Sequence, residues 1–337
     1  MDVLKFVAKR LLLMIPILIG ISMLTFAISN TIPGDPARLI LGPKATPEGL
    51  ESLREKMGLN DPLYIQYGRY MVGITHGDLG ESTYSQGPVS SDLIRYSPAT
   101  FELTLFAMMI TLLIGIPFGI ISASKKDRMA DHFTRLFSLL GVAMPAFWLG
   151  LLFLLLFYLK LGILPGSGRL DSGMSPPHHI TGMYTIDALL TGNWTVLLSA
   201  SMHLILPGIT LAAVTIGMIT RMTRSSMLEV LQSDYVRTAH AKGASENRVL
   251  YGHALRNGVM PVITLLGMAF GHALGGSVLV ESVFSWPGLG KYAVNAITYL
   301  DFPAVMGVTL LIAVMFILVN LIVDTLYFFI DPRLKHN

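Results

Sequence analysis

The run Leu11-Leu-Leu-Met-Ile-Pro-Ile-Leu-Ile-Gly20-Ile-Ser-Met-Leu-Thr-Phe-Ala-Ile-Ser-Asn30-Thr-Ile-Pro-Gly34 contains no charged side chain. An α-helix rises about 1.5 Å per residue, so it crosses about 30 Å of hydrocarbon in roughly 20 residues. The run is long enough to span a bilayer, where a helix satisfies its own backbone groups. Charge-free runs of the same kind recur at 103–124, 136–159, 188–220, 257–280 and 302–323, none shorter than 22 residues. The fourth, at 33 residues, is too long for one crossing. Its start, Ala188-Leu-Leu-Thr-Gly-Asn-Trp194, reads as interfacial and places the span at about 199–220. The alternation of barrel strands is absent. These runs predict an all-α, polytopic membrane protein with six transmembrane helices.

Composition points the same way. Of 337 residues, 53% are hydrophobic and 13% charged, against about 25% charged in a soluble domain. Mean hydropathy is +0.61, more apolar surface than a soluble globule hides. The chain has no cysteine, which excludes a disulfide framework, a thiolate metal site, an iron–sulfur cluster and a cysteine nucleophile.

Charge placement sets the orientation. With the N-terminus inside, the inner segments carry 15 basic and 7 acidic residues, and the outer segments 9 and 13, with Asp324 left within the last span. The positive-inside bias therefore predicts both termini on the cytoplasmic side. The first run reads as a retained anchor, because its 24 charge-free residues far exceed the core of a signal peptide.

Three parts follow. Residues 1–34 hold the N-terminal tail and first span, 35–98 an outer cap, and 99–337 the transmembrane core. In the cap, Thr46 is placed to cap a helix whose first position is Pro47, and Leu50, Leu53 and Met57 recur at helical spacing. A second helix follows Asp61-Pro62, with Leu63, Tyr67, Met71 and Ile74 on one face. Two further outer loops occupy 160–187 and Glu281–Gly290.

The inner segment 221–256 is the most informative. A helix is expected from Ser226 to His240 or Lys242, with Met227, Leu231, Tyr235 and Thr238 or Ala239 on one face. Gly243 fits the left-handed position that ends a helix. Ser245 caps the next, with Glu246 in its favourable first turn. The basic side chains Arg237, Lys242, Arg248 and Arg256 surround this helix–Gly–helix. A DNA-reading helix-turn-helix has a similar pattern, but a linker tethered to two spans fits a groove poorly. A loop resting on lipid headgroups is the plain alternative. An amphipathic pair with an uncovered face points instead to docking of a cytoplasmic partner.

The segment Asp234-Tyr-Val-Arg-Thr-Ala-His-Ala-Lys-Gly243-Ala-Ser-Glu-Asn-Arg-Val-Leu-Tyr-Gly-His-Ala-Leu255-Arg-Asn-Gly-Val-Met-Pro261 resembles the coupling loop of ABC-importer membrane subunits. Arg237, Thr238 and Ala239 stand at that motif's Glu-Ala-Ala, Gly243 at its Gly, His253 at its Ile and Leu255 at its Leu, while Arg256 replaces its Pro. The peptide-permease branch carries such departures. Ile32-Pro-Gly-Asp-Pro36, His76-Gly-Asp-Leu-Gly80, Arg221-Met-Thr-Arg-Ser-Ser-Met-Leu-Glu-Val230, Phe284-Ser-Trp-Pro-Gly-Leu-Gly290, Asn320-Leu-Ile-Val-Asp324 and Asp331-Pro-Arg333 also resemble that branch. The resemblance implies an ABC type I importer permease fold in a bacterial inner membrane, within a machine that imports dipeptides or short peptides. It implies a second homologous permease subunit, two cytoplasmic ATPases that bind ATP and Mg, an external solute-binding protein, and surrounding lipid, with no nucleic acid. Nickel, glutathione, haem and oligopeptide importers use similar subunits, so the solute is less specified than the family. The coupling residues it implies are Asp234, Arg237, Thr238, Ala239, Gly243, Ala244, Ser245, Glu246, Leu255 and Arg256.

No Gly-x-x-x-x-Gly-Lys-Ser/Thr phosphate loop is present, and Gly288-Leu-Gly-Lys291 lacks its first glycine and hydroxyl. ATP is therefore expected on separate chains, and no cofactor or metal on this one. His178-His179 reads as a loop pair, His203 and His272 as packed histidines, and Asp324 as one half of a structural ion pair. A self-sufficient secondary transporter needs ionisable groups at mid-membrane. An intramembrane enzyme needs a catalytic cluster there. Neither is visible. Pro16, Pro117, Pro145, Pro207 and Pro261 are candidate kinks. Gly267, Gly271 and Gly275 repeat every fourth residue and are candidates for a subunit interface.

Overall fold

The computed structural model describes residues 3–31, 36–42 and 45–330. The segment Ile32–Asp35 and the closing Asp331-Pro-Arg333 lie outside the described residues. The elements in chain order are α1 (Val3–Thr31), α2 (Pro36–Leu41), α3 (Pro47–Met57), α4 (Leu63–Thr75), α5 (Val89–Ser124), α6 (Met129–Ala143) and α7 (Ala146–Phe153), which continues as a π-helical turn over Leu154–Lys160. Then follow α8 (Tyr184–Leu190), α9 (Trp194–Leu231), α10 (Asp234–Ala241), a second π turn over Arg248–Ala254, α11 (Leu255–Gly258), α12 (Met260–Val283), α13 (Leu289–Thr298) and α14 (Phe302–Ile330). Among the described residues, β structure is limited to an isolated bridge between Glu81 and Pro88.

Among the described residues, five helices are long and apolar enough to cross a membrane: α1, α5, α9, α12 and α14. The expected third span is not one straight helix. α6 and α7 with its π turn are bent by 105°, and they make the sixth crossing only if counted together. Pro145 causes the break. Its ring disfavours helical geometry in the residue before it, and Met144 is extended at φ −90°, ψ 131°. Pro16, Pro117 and Pro207 sit inside continuous helices, and Pro261 lies in the first turn of α12, where no helix bond is lost.

The expected boundary at residue 98 falls within α5, which starts at Val89 and passes through Pro98 without ending. Within the cap, Thr46 Oγ1 accepts from the Gly49 amide at 3.2 Å, and Gly58 ends α3 at φ +64°. α4 buries no residue fully and lies against α1, with Tyr67 Oη 2.9 Å from Ser22 Oγ. Leu63 of its expected apolar face is exposed.

α5 and α9 form the central pair. Gly115 and Gly119 of α5 meet Ile219 and Thr223 of α9, where an added Cβ would press on Ile219 and clash with Thr223. Thr111 and Thr215 hydrogen-bond across the contact at 2.7 Å. Small residues let helix backbones approach without a water-driven force. α9 starts at Trp194, where Asn193 caps it by accepting from the Val196 amide at 3.2 Å. α1 joins the outside of the bundle beside α14, where Arg10 pairs with Asp324 at 2.9 Å. The expected structural partner of Asp324 is thus an arginine of the first span.

Candidate functional site

At one end of the bundle, the segment after α9 folds into a short helical hairpin. The sequence places a single helix from Ser226, but α9 runs on to Leu231, with Ser226 buried inside it. The break falls at Gln232-Ser233. Ser233 is extended at φ −71°, ψ 153° and precedes α10, and its hydroxyl donates back to the Val230 carbonyl at 2.6 Å. This break shifts the helical phase. Val236 takes the buried position that an unbroken helix gives to Tyr235, and Tyr235 is exposed.

Gly243 ends α10 as expected from a left-handed stop, at φ +80°. The Gly243 amide donates to the His240 carbonyl at 2.9 Å and the Ala244 amide to the Ala239 carbonyl at 3.1 Å. That pair of bonds is the Schellman closure of a helix end. The Ser245 carbonyl then accepts from the Val249 amide at 2.9 Å, starting the second arm. Tyr235 Oη accepts from Asn257 Nδ2 at 2.8 Å and ties the two arms together.

The hairpin holds to the bundle through one apolar cluster: Val236, Val249 and Ala254 with Met227 of α9 and Ile120 and Ala123 of α5. Ala239, Ala244 and Leu255 pack at its edge. The remaining sequence-selected residues, Asp234, Arg237, Thr238, Gly243, Ser245, Glu246 and Arg256, are exposed. Arg237 lies 3.6 Å from Asp234, a pair too exposed to contribute much stability. The ten residues thus divide into seven on an open face and three beneath it. Sequence reasoning missed the anchors Val236, Val249 and Ala254. Their signal was the apolar spacing of 236 and 239 once Ser233, not Ser226, starts the helix.

The glycines of α12 have a different use from the expected one. A Cβ on Gly267 would fall 2.7 Å from Asn320 Oδ1, and one on Gly271 would meet the Phe316 ring, both on α14. That face is filled within the chain at these two positions, which corrects the reading of them as a subunit interface. Only Gly275 of the three has nothing within 4 Å.

The opposite end of the bundle is polar and buried. Glu102 of α5 lies 2.5 Å from Arg169 Nη2 and accepts from the Thr185 amide and hydroxyl at 2.7 and 2.6 Å. The Arg169 guanidinium stacks 3.5 Å over the Tyr184 ring. Asp187 accepts from the Ile180, Thr181 and Gly182 amides and the Thr181 hydroxyl. Burial alone would raise its pKa, but the Thr181 hydroxyl and the three amides outweigh it and hold the carboxyl below its ordinary value. Glu281 accepts from Thr100 Oγ1 at 2.6 Å and the Lys291 amide at 2.9 Å. Gly288 and Gly290 pack directly on that carboxylate. Asp301 accepts from Ser82 Oγ at 2.5 Å and the Tyr84 amide at 3.1 Å, fastening the cap to the start of α14.

His203 is buried, its Nδ1 2.8 Å from the Ser199 carbonyl and its Nε2 4.0 Å from Asp171. His272 is exposed on α12. No group of three or more metal-ligating side chains occurs among the described residues.

The described residues form a polytopic helical bundle with buried polar loops at one end and an open, charged hairpin at the other. Residues 115–336 match the family described as binding-protein-dependent transport system inner membrane component, and residues 3–98 match that family's N-terminal component. The chain belongs to this family, whose members sit in the inner membrane. It is 45% identical to a dipeptide transport system permease protein of Alkalihalophilus pseudofirmus, over 99% of this chain and 100% of that one. It is 49% identical to a probable D,D-dipeptide transport system permease protein of Escherichia coli K12, over 94% and 93%. An oligopeptide transport system permease protein of Bacillus subtilis is 39% identical over 98% and 99%.

Proposed function

We propose that this chain forms part of the path for dipeptides or short peptides in an ABC importer, and that the hairpin 234–256 is where an ATPase subunit docks. The termini and the hairpin face the cytoplasm. A second homologous permease subunit completes the path. ATP and Mg bind two separate ATPases, and an external binding protein delivers the solute. The relatives named for dipeptide and oligopeptide transport support the solute class. The inner segments' excess of 15 basic over 7 acidic residues supports the orientation.

The observation that carries the docking assignment is the division of the hairpin into an apolar anchor and an uncovered polar face closed at Gly243. A β-branched residue at φ +80° costs about 1–2 kcal/mol or more, yet a Cβ there meets nothing within 4 Å. Gly243→Val therefore alters the angle between the arms without disturbing the bundle. Uptake of a labelled dipeptide and co-purification of the ATPases, at matched membrane levels, test the assignment. Both should fall for Gly243→Val. Unchanged values for both would return the hairpin to a loop resting on headgroups.

A further inference from the structure

We propose that a cleft between α6 and α9 binds the phosphate of an anionic phospholipid, with an acyl chain lying along α6. The cleft is a cavity of about 550 Å³ lined by His132, Arg135, Leu136, Leu139, Arg221 and Arg224. No carboxylate lines it. Arg224 is already committed, its Nε and Nη2 each 2.9 Å from the two oxygens of buried Asp131. Asp131 is itself saturated by Ser122 Oγ at 2.5 Å and the Asp127 amide at 3.0 Å, so it cancels Arg224 and nothing else.

Arg135 and Arg221 are different. Both are exposed, and neither has a carboxylate partner among the described residues. Arg221 makes only a 3.3 Å bond from Nε to its own helix, at the Gly217 carbonyl. The cleft therefore presents two uncompensated guanidiniums, whose planar forks match phosphate oxygens.

Depth and apolarity select a lipid over a soluble anion. Arg135 lies six residues into α6, roughly 9 Å along the helix axis from its start, which is headgroup depth for a crossing that begins there. Leu136 and Leu139 within the cleft are each 58% exposed, and Phe133 beside them is 62% exposed. An aliphatic chain covers such side chains, and a free phosphate does not. Basic pockets between membrane helices hold lipid headgroups by this combination. The site lies apart from the hairpin, so its test is independent of the docking assignment.

Native mass spectrometry of the assembled transporter in detergent tests it, with dioctanoyl-phosphatidylglycerol, dioctanoyl-phosphatidylcholine and inorganic phosphate as probes. Phosphatidylglycerol should bind more tightly than the other two, and Arg135→Gln with Arg221→Gln should raise its Kd about tenfold or more. Both arginines are exposed, so the double variant should assemble. Leu139→Ser, which keeps the charges, is a second arm and should weaken phosphatidylglycerol but not phosphate. Equal binding of the two lipids, an unchanged Kd in the double variant, or phosphate binding as tightly as phosphatidylglycerol would overturn the proposal.

Discussion

At the end of the bundle built from 161–193 and 284–301, the carboxylates of Glu102, Asp187, Glu281 and Asp301 are buried, and each receives several donors, those of Glu102 and Asp301 coming mainly from segments distant in sequence. At the hairpin end, Asp234, Arg237, Glu246 and Arg256 stand in the open, and Val236, Val249 and Ala254 take the buried positions. A buried carboxylate with a full set of donors has one good arrangement, and every other leaves a charge unpaired in a medium that screens it poorly. Apolar contact is non-directional and tolerates small displacements. The first end is built to hold its shape. The second is held by apolar contact and leaves its charged face open.

The largest expected effect is at the first end. Glu102→Ala leaves Arg169 buried without its carboxylate, a loss of about 3–5 kcal/mol. Thermal unfolding and membrane yield should both fall sharply. A loss no greater than that of Glu246→Ala on the hairpin would erase the contrast between the ends.

Asp301→Ala should cost less, about 1–3 kcal/mol, the scale for buried donors left without an acceptor. Its distinctive sign is local. Limited proteolysis should cut sooner within 79–88, the part of the cap that Asp301 holds, while the hairpin's cutting rate stays as before. Equal acceleration at both places would mean that the ends are not independent.

Asp187 sharpens the comparison through pH. Its folded pKa lies below its ordinary value, so its contribution is full above the unfolded value of about 4 and is lost as pH falls through the folded one. Wild type should lose stability on acidification below about pH 4, and Asp187→Asn should start lower at neutral pH and lose less. Unfolding temperatures of both proteins from pH 7 to pH 3 should therefore converge. Parallel curves would remove Asp187 from the polar end's account.

Arg237→Glu is the smallest in stability, within about 0.5 kcal/mol, as for other exposed positions. Its effect should appear in ATPase co-purification, and more strongly at low salt, where screening is weak. A salt-independent result would mean that Arg237 does not face the docked subunit.

Much of the fold was legible because a membrane span is read from a local sum. Five of the six charge-free runs became single spanning helices and the other a bent pair, and Thr46 and Gly243 announced a helix start and a helix stop through geometry that depends on a few adjacent residues. The candidate hairpin was legible in position and turn, but its phase was not. Ser226 and Ser233 are both acceptable helix starts. Packing of Val236 against Met227, Ile120 and Ala123 accompanies the choice of Ser233.

Sequence alone determined the class of protein, its crossings and the place of its exposed hairpin, since transfer free energies and backbone preferences act over one or two helical turns. Tertiary structure decided the rest. It decided that Pro145 breaks a crossing by 105° while Pro117 and Pro207 stay within intact helices. It decided that α9 is largely buried within the bundle and α1 is left almost wholly uncovered, although both read as spans. It also decided that Gly267 and Gly271 serve α14. Each depends on which surfaces meet across long stretches of chain, as Glu102 meets Arg169 and Ser82 meets Asp301. Hydropathy carries no record of partners at that distance, because lipid and a neighbouring helix are equally apolar to a side chain facing them.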